Sequence, residues 1–222
     1  MQLNEANRLL DSQYLPLESG WIRHADGRAH VAARTHMIGV TGKMFEWWFS
    51  FVHTTEHYKW WHPRDHVFSD WIGPRGTGEY VAGTHIVHEY FAGGPTLFKL
   101  KINFRDPGAI LDTSRFREAG VSAAVYARTG PLDRDLWVGH TLHLVHDTPE
   151  GCIVRSRFWL GEIDPMPHPI SRADMLKLVP DERVIGLHQH SSEEMSILSG
   201  FLPALHRAHN PVLERGEGGG PL

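Results

Sequence analysis

Short apolar runs recur along the middle of the chain, and four of them predict two β-hairpins. The first hairpin comprises residues 80–91 and 96–104, which are rich in β-branched and aromatic side chains and flank the turn sequence AGGP. The second comprises residues 140–146 and 152–160, which flank DTPEG. A further strand is predicted at residues 122–128. These runs indicate an antiparallel sheet.

Helical patterns lie on both sides of the predicted strands. Residues 4–11 fit a short leading helix, and the aromatic run MFEWWFSFV at residues 44–52 fits a buried helix, although its periodicity also allows a strand. Ser171, followed three residues later by Asp174, resembles a helix N-cap before the segment MLKLV.

A longer helix closes the folded part of the chain. It is predicted to begin at Ser191 or Ser192 and to run to about Pro203 or just beyond. Strands in hairpins followed by a C-terminal helix predict an α+β domain, in which an antiparallel sheet packs against that helix.

Length and composition favour a single globular domain. The chain has 222 residues, of which 41% are hydrophobic and 22% charged, and these proportions are typical of a folded protein. We expect one domain over residues 1–222, with its core at about 21–208 and a disordered tail over 214–222. Because Cys152 is the single cysteine, an internal disulfide is excluded.

Charge and hydropathy limit the kinds of binding partner that we expect for this chain. The net charge of −4 shows no excess of positive charge, so we expect no nucleic-acid partner. No apolar stretch approaches the roughly 18–20 residues that span a bilayer, so no membrane partner is expected. The opening sequence MQLNEANRLLDSQ lacks a basic segment followed by an apolar run, and we therefore expect a cytoplasmic protein. Seventeen histidines would direct any metal site toward nitrogen and oxygen ligands.

The first candidate site is the segment HSSEE. On a helix, His190 and Glu194 are four residues apart and lie on the same face, which Ile197, Leu198 and Phe201 continue. That face should point inward, where two polar side chains need a partner that a metal ion can supply. A solvated helix start is the alternative interpretation.

The second candidate site is YKWWHPRDH at residues 58–66. Two histidines, His62 and His66, flank a proline in an aromatic-rich segment, which indicates a rigid loop that presents a ligand. Both histidines could bind only if the segment were helical, and Pro63 disfavours a helix. The alternative is a pair of structural histidines stacked on the neighbouring tryptophans.

The third candidate site is THIVHEY at residues 84–90. Strand alternation puts His85 and Glu89 on one face and His88 on the other. A glutamate in such an apolar strand is costly unless it is paired or bound to a metal. An ion pair with an arginine is the alternative.

Together these segments resemble the diacetylphloroglucinol hydrolase family, which includes phloretin-type hydrolases. The resemblance runs over about residues 21–205 and rests on MFEWWF, YKWWHPRDH, HIVHEY and HSSEEMSILSGFLP in this order. It implies a helix-grip fold of the Bet v 1/START type, with a curved antiparallel sheet around a long C-terminal helix and a deep cavity between them. It also implies a homodimer, since family members often pair.

The resemblance further implies one zinc ion per chain, held by two histidines and two glutamates. The positions that match the family's ligands are His66, Glu89, His190 and Glu194. His62 is the alternative to His66. Tyr58, eight residues before His66, matches a family tyrosine that contacts a phenolic oxygen.

The implied activity is hydrolysis of the carbon–carbon bond that joins an acyl group to a polyhydroxylated ring, in a retro-Claisen reaction of a phenolic ketone. Zinc would lower the pKa of water and polarise an oxygen. Glu193, His85 and His88 are candidates for the general base, and no order among them follows from the sequence.

Two other classes of protein fit the same residues. One is a START-like carrier of small molecules with a structural metal. The other is a non-haem iron oxygenase that uses two histidines and one carboxylate, since iron and other divalent ions accept the same ligands as zinc.

Overall fold

The computed structural model describes residues 1–75, 79–166 and 168–211. The tail over residues 214–222, which was predicted to be disordered, lies outside this part of the chain. Among the residues described, no helix combines the length and the apolar character that crossing a membrane requires.

Eight strands of the described chain form one antiparallel sheet. They are β1 (Gly20–Arg23), β2 (Ala29–Ile38), β3 (His66–Ile72), β4 (Thr84–Glu89), β5 (Phe98–Arg105), β6 (Ala123–Pro131), β7 (Trp137–Thr148) and β8 (Gly151–Asp164). Their order across the sheet is β1-β2-β8-β7-β6-β5-β4-β3. Strands β3 to β8 therefore form a continuous meander, which β2 and β1 extend at the β8 side.

The α-helices begin at side-chain caps or at a proline. A 3-10 helix covers Leu3–Leu10, and the α-helices are α1 (Gly42–Phe51), α2 (Thr55–Trp61), α3 (Arg172–Leu178) and α4 (Asp181–His209). Thr41 and Thr54 accept hydrogen bonds from backbone N–H groups three residues on and start α1 and α2. The predicted cap at Ser171 accepts from the Asp174 N–H at 3.1 Å.

Helix α4 lies along the inner face of the sheet. Its 29 residues extend over about 43 Å, at 1.5 Å per residue. Met195, Leu198 and Leu202 are fully buried in the main core, which includes α1 and the inner side chains of β2, β6 and β8. The α+β fold with a sheet around a long C-terminal helix is therefore confirmed.

The predicted start of this helix was wrong. It begins at Asp181 rather than at Ser191 or Ser192. Gly186 interrupts the helical pattern because glycine is a weak helix former. A Cβ at Gly186 would lie 3.0 Å from Phe91 Cβ, so the missing side chain lets the helix pack against the chain that follows β4.

Both predicted hairpins form, with different bounds. β4 pairs with β5 and is shorter than predicted, because Ala82 adopts a positive φ of 68° just before it. β7 pairs with β8, and both strands are longer than predicted. The first three strands were missed. β2 is buried on both faces over its first half and so lacks the alternation of a half-buried strand.

The N-terminal segment covers the outer face of the sheet. Leu9 and Leu10 pack there with Leu142, Leu144 and Trp159 in a second hydrophobic cluster. Further along this segment, one carboxylate joins two arginines of β8. Glu18 accepts hydrogen bonds from Arg155 at 2.7 and 3.0 Å and from Arg157 at 2.7 Å. Both guanidinium groups lie beneath the N-terminal segment.

Candidate metal centre

Four polar side chains of the predicted ligand set converge at one end of the cavity between α4 and the sheet. His66 Nε2 lies 3.3 Å from His190 Nε2. Glu89 Oε2 is 3.6 Å from His66 Nε2 and 3.8 Å from His190 Nε2. Glu194 Oε2 is 3.8 Å from each of these two nitrogens. All four residues are buried.

These separations suit a metal ion. Ligand atoms arranged as a tetrahedron at zinc distances of 2.0–2.2 Å are about 3.3–3.6 Å apart. The donor atoms of His66, Glu89 and His190 all lie within 4.8 Å of one another. Glu194 stands outside that group of three, and its Oε2 lies 3.8 Å from each histidine nitrogen. The cluster is therefore a candidate metal site with two nitrogen and two oxygen donors.

Strand pairing and helical spacing place these side chains. His66 begins β3 and is the direct cross-strand partner of Glu89, the last residue of β4. Opposed residues of antiparallel strands point to the same face. A β-bulge follows between His66 and Phe68, and bulges are frequent beside functional sites. His190 and Glu194 lie one turn apart on α4.

Hydrogen bonds set which nitrogen of each histidine faces the cluster. His66 Nδ1 donates to the Tyr58 carbonyl oxygen at 2.8 Å. His190 Nδ1 donates to Asp65 Oδ2 at 3.1 Å. Because each Nδ1 carries the proton that its acceptor requires, each Nε2 is left to face the cluster.

Tyr58 contacts two members of the cluster at once. Its ring stacks on His66 with centroids 3.7 Å apart, and its hydroxyl donates to Glu89 Oε2. Burial and the neighbouring carboxylate of Glu89 raise the pKa of Tyr58 well above its usual range. The hydroxyl therefore stays protonated and acts as a donor.

The electrostatics of the cluster favour an added cation. Burial raises the pKa of Glu194 to about 8 and also raises that of Glu89. Among the ion pairs of the described residues, these two carboxylates pair only with histidines. A divalent ion would supply the positive charge that two buried carboxylates need.

Asp65 supports His190, and the sequence analysis missed it. Its carboxylate is fully buried and accepts from Arg64 at 2.8 and 3.1 Å and from the Gly93 N–H at 3.1 Å. Although burial acts to raise the pKa of Asp65, hydrogen bonds from His190 and Arg64 hold it well below the usual range. A carboxylate directly before His66 in the motif was the available signal.

His62, the alternative ligand, lies behind His190 rather than beside Glu89. Its ring stacks on His190 at 4.7 Å, its Nδ1 accepts from the Asp65 N–H at 3.3 Å, and its Nε2 lies 3.3 Å from Glu193. Donor atoms of His62, Asp65 and His190 also lie within 4.8 Å of one another. In this second set, however, hydrogen bonds from Arg64 and Gly93 already occupy the carboxylate.

Of the three candidate bases, the structure brings only His85 to the cavity. His85 lies on the cavity wall with its Nε2 2.6 Å from Ser69 Oγ, and burial lowers its pKa to about 3, so it is neutral. His88 points to the opposite face of β4, against Phe68. Glu193 lies on the outer side of α4, where it accepts from Arg64 and Gln189.

The remaining cavity wall is mainly apolar. Strands β5, β6 and β8 and helices α1 and α2 contribute the aromatic and aliphatic lining Phe49, Trp61, Leu100, Ile102, Phe104, Val125, Ala127, Phe158 and Leu160. Polar groups enter at Thr129, Thr141 and His143. His143 forms a hydrogen bond with Ser156 Oγ at 2.8 Å, and burial lowers its pKa to about 3. Such a wall suits a flat, mostly apolar ligand.

Fold and site together define a helix-grip protein with a buried histidine–carboxylate cluster in an aromatic cavity. The model of the DAPG hydrolase PhiG domain matches residues 1–207, and the chain therefore belongs to this family.

Two named relatives are hydrolases, which supports an enzyme. The chain is 28% identical over 229 residues to 2,4-diacetylphloroglucinol hydrolase of Pseudomonas protegens, covering 92% of this chain and 73% of the relative. It is 29% identical over 233 residues to phloretin hydrolase of Eubacterium ramulus, covering 91% of this chain and 77% of the relative.

The solution structure of the KanY protein has the same fold. It superposes with a TM-score of 0.51 at 10% identity and covers 79% of this chain and 98% of its own. At this identity the similarity concerns the fold alone.

Proposed function

We propose that this chain is a zinc-dependent hydrolase that cleaves the carbon–carbon bond between an acyl group and a polyhydroxylated aromatic ring. The observation that carries the proposal is the convergence of two histidines and two glutamates on the wall of an aromatic cavity. The names of the relatives support the substrate class, a phenolic ketone of the diacetylphloroglucinol type.

His66, Glu89, His190 and Glu194 would hold the ion. Bound there, zinc would supply Lewis acidity, which lowers the pKa of water and polarises a carbonyl oxygen. The two glutamates would balance the charge of the ion in a site that is shielded from solvent.

Residues of the cavity would orient the ligand and take part in the proton transfer that accompanies cleavage. The overall reaction consumes one water: its oxygen ends on the acyl carbon as a carboxylic acid, and the ring carbon gains a hydrogen in place of the acyl group. Tyr58, held protonated, can orient an oxygen beside Glu89. His85 is the candidate base that lines the cavity, and its pKa of about 3 makes it a weak proton acceptor there.

The test is elemental analysis of the purified protein, followed by incubation with diacetylphloroglucinol. We expect about one zinc per chain and release of acetate. Metal without acetate release would leave the metal site standing and favour either a different phenolic ketone as substrate or a carrier. Consumption of dissolved oxygen would favour an iron oxygenase. Absence of metal would overturn the proposed ligand set.

Asp65→Asn should weaken zinc binding by about 10–100-fold, the range typical of groups that orient a metal-bound histidine. The amide keeps the size of the side chain but offers only one acceptor oxygen, which Arg64, Gly93 and His190 would share. Competition with a chromogenic chelator measures the change in Kd.

Asp70→Asn is the matched control, because Asp70 is exposed on β3 and does not contact the cluster. A zinc Kd for Asp65→Asn equal to that of this control would show that the carboxylate does not support His190.

A further inference from the structure

Arg183 lies on the face of α4 that carries His190 and Glu194. The side chains of Arg183, Leu187, His190 and Glu194 all line the inner cavity, at helical spacings of four, three and four residues. Arg183 and His190 are seven residues apart, which corresponds to about 10 Å along the helix axis. One helix face therefore carries a cation at a distance from the histidine–glutamate cluster.

The side chain of Arg183 lies at the mouth of the cavity, where the cavity adjoins an outer groove. Leu100 and Arg183 line both the inner cavity and a wide outer groove. The groove is bordered by the start of β5, the β6–β7 turn and the segment that leads to α3. Arg183 therefore lies between the inner cavity and the groove.

The guanidinium has few partners within the described part of the chain. It forms no direct ion pair with a described carboxylate, although the charge of Glu89 acts on it at longer range. Arg183 Nη1 makes one long hydrogen bond of 3.5 Å to the Leu178 carbonyl. Its Nε is shielded from solvent and has no partner. The group lies over the ring of Phe98, 5.2 Å from the ring centroid. A shielded donor without an acceptor is costly, so a ligand that satisfies it would bind more tightly.

We propose that Arg183 binds an anionic oxygen of the ligand, a phenolate or a carboxylate, at the mouth of the cavity. The site then selects aromatic ligands that carry their negative charge at the end remote from the histidine–glutamate cluster. This role in specificity rests on the proposed function in one respect: it assumes that the acyl group of the substrate lies at the histidine–glutamate cluster.

The chemistry of the side chain supports this role. A guanidinium presents a planar fork of donors that matches a carboxylate and also bonds a single anionic oxygen, and its bonds to anions are stronger than bonds between neutral groups. Among the described residues that line the inner cavity, Arg183 alone carries a permanent positive charge. The aromatic wall between it and the cluster would hold the ring.

Two pairs of matched probes separate the two possible anions. Binding of 4-hydroxybenzoate is compared with that of 4-hydroxybenzamide, and binding of 2,4-dinitrophenol with that of 2,4-dinitroaniline, by titration calorimetry of the full-length protein as purified. Within each pair the shape is conserved and the charge differs. None of the probes is an aryl ketone, the class of compound that the proposed reaction cleaves, so the result is independent of hydrolysis.

The wild-type chain should prefer at least one anion over its neutral partner by about tenfold, and Arg183→Gln should abolish that preference. Preference for 4-hydroxybenzoate over its amide identifies a carboxylate site. Preference for 2,4-dinitrophenol over the aniline identifies a phenolate site. Arg134→Gln is the control, because Arg134 lines only the outer groove. Its preference should match the wild type.

Three results would overturn the proposal: equal binding within both pairs, no binding of either anion, or a preference that persists in Arg183→Gln. Persistence would mean that the anion binds elsewhere, for example at the histidine–glutamate cluster. Circular dichroism of Arg183→Gln verifies that the variant is folded. Acetate release from diacetylphloroglucinol is measured separately, so the hydrolase and the anion site can fail independently.

Discussion

Replacing His190 with alanine should abolish metal binding and hydrolysis together. The substitution removes one of the two nitrogen donors of the cluster and leaves the buried carboxylate of Asp65 without its imidazole partner. We expect zinc affinity to fall by more than the roughly 100-fold that loss of a supporting group causes. Elemental analysis after dialysis and the rate of acetate release from diacetylphloroglucinol measure the two effects.

His188→Ala is the matched control, two residues away on the same helix. His188 bonds Ser19 on the outer side of α4 and does not line the cavity. This variant should keep both metal and activity. If His190→Ala retained its zinc, the proposed ligand set would be wrong. If it lost zinc but still released acetate, the metal would have no part in the reaction.

Replacing Glu18 with glutamine should lower the free energy of unfolding by about 3–5 kcal/mol, as expected when a buried ion pair loses one partner. Arg155 and Arg157 are 3% and 0% exposed, and Glu18 is the carboxylate that both of them bond. Glutamine would leave two buried guanidinium groups without an anion. Urea unfolding near neutral pH, followed by tryptophan fluorescence, measures the loss.

Asp11→Asn is the control for this comparison. It removes a carboxylate from the same N-terminal segment, but its ion pair with Arg115 is exposed and should contribute less than about 1 kcal/mol. Equal destabilisation by the two substitutions would show that burial of the arginines does not matter.

The contribution of Glu18 should depend on pH. Although burial acts to raise the pKa of Glu18, hydrogen bonds and charges from Arg155 and Arg157 lower it from 4.5 to about 2. A lowered carboxyl pKa stabilises the folded state above the unfolded pKa, and that stability is lost as the pH falls toward the folded pKa. The difference between wild type and Glu18→Gln should therefore be constant above about pH 5 and shrink between about pH 4.5 and 2. A constant difference would contradict the assigned pKa.

Helical and strand spacing accounted for part of the candidate site. The four-residue spacing predicted that His190 and Glu194 share a face, and alternation predicted that His85 and Glu89 point the same way. Both features are present, because they depend only on the local repeat of one element. That His66 stands opposite Glu89 depends on the register between two strands, which no local pattern specifies.

The residues of the site that the sequence did not predict are placed by contacts between distant segments of the chain. Asp65 meets His190 across 125 positions of sequence, and Arg183 reaches the cavity only because α4 begins ten residues earlier than predicted. Gly186 weakened the helical pattern there, although close packing against Phe91 explains its presence. At the start of α4, tertiary packing outweighed the local preference.

The proposed ligands and the substrate wall come from different strands of one sheet, and this separation bears on how such a protein could diversify. The cluster uses β3, β4 and α4, whereas β5, β6 and β8 supply most of the apolar wall. Substitutions at wall positions such as Ile102 or Val125 can reshape the chamber without moving a donor atom. Related proteins could thus differ in the aromatic compound that they bind while keeping the same proposed metal ligands. By contrast, deleting one residue between His190 and Glu194 would turn the carboxylate by about 100° around the helix and break the cluster.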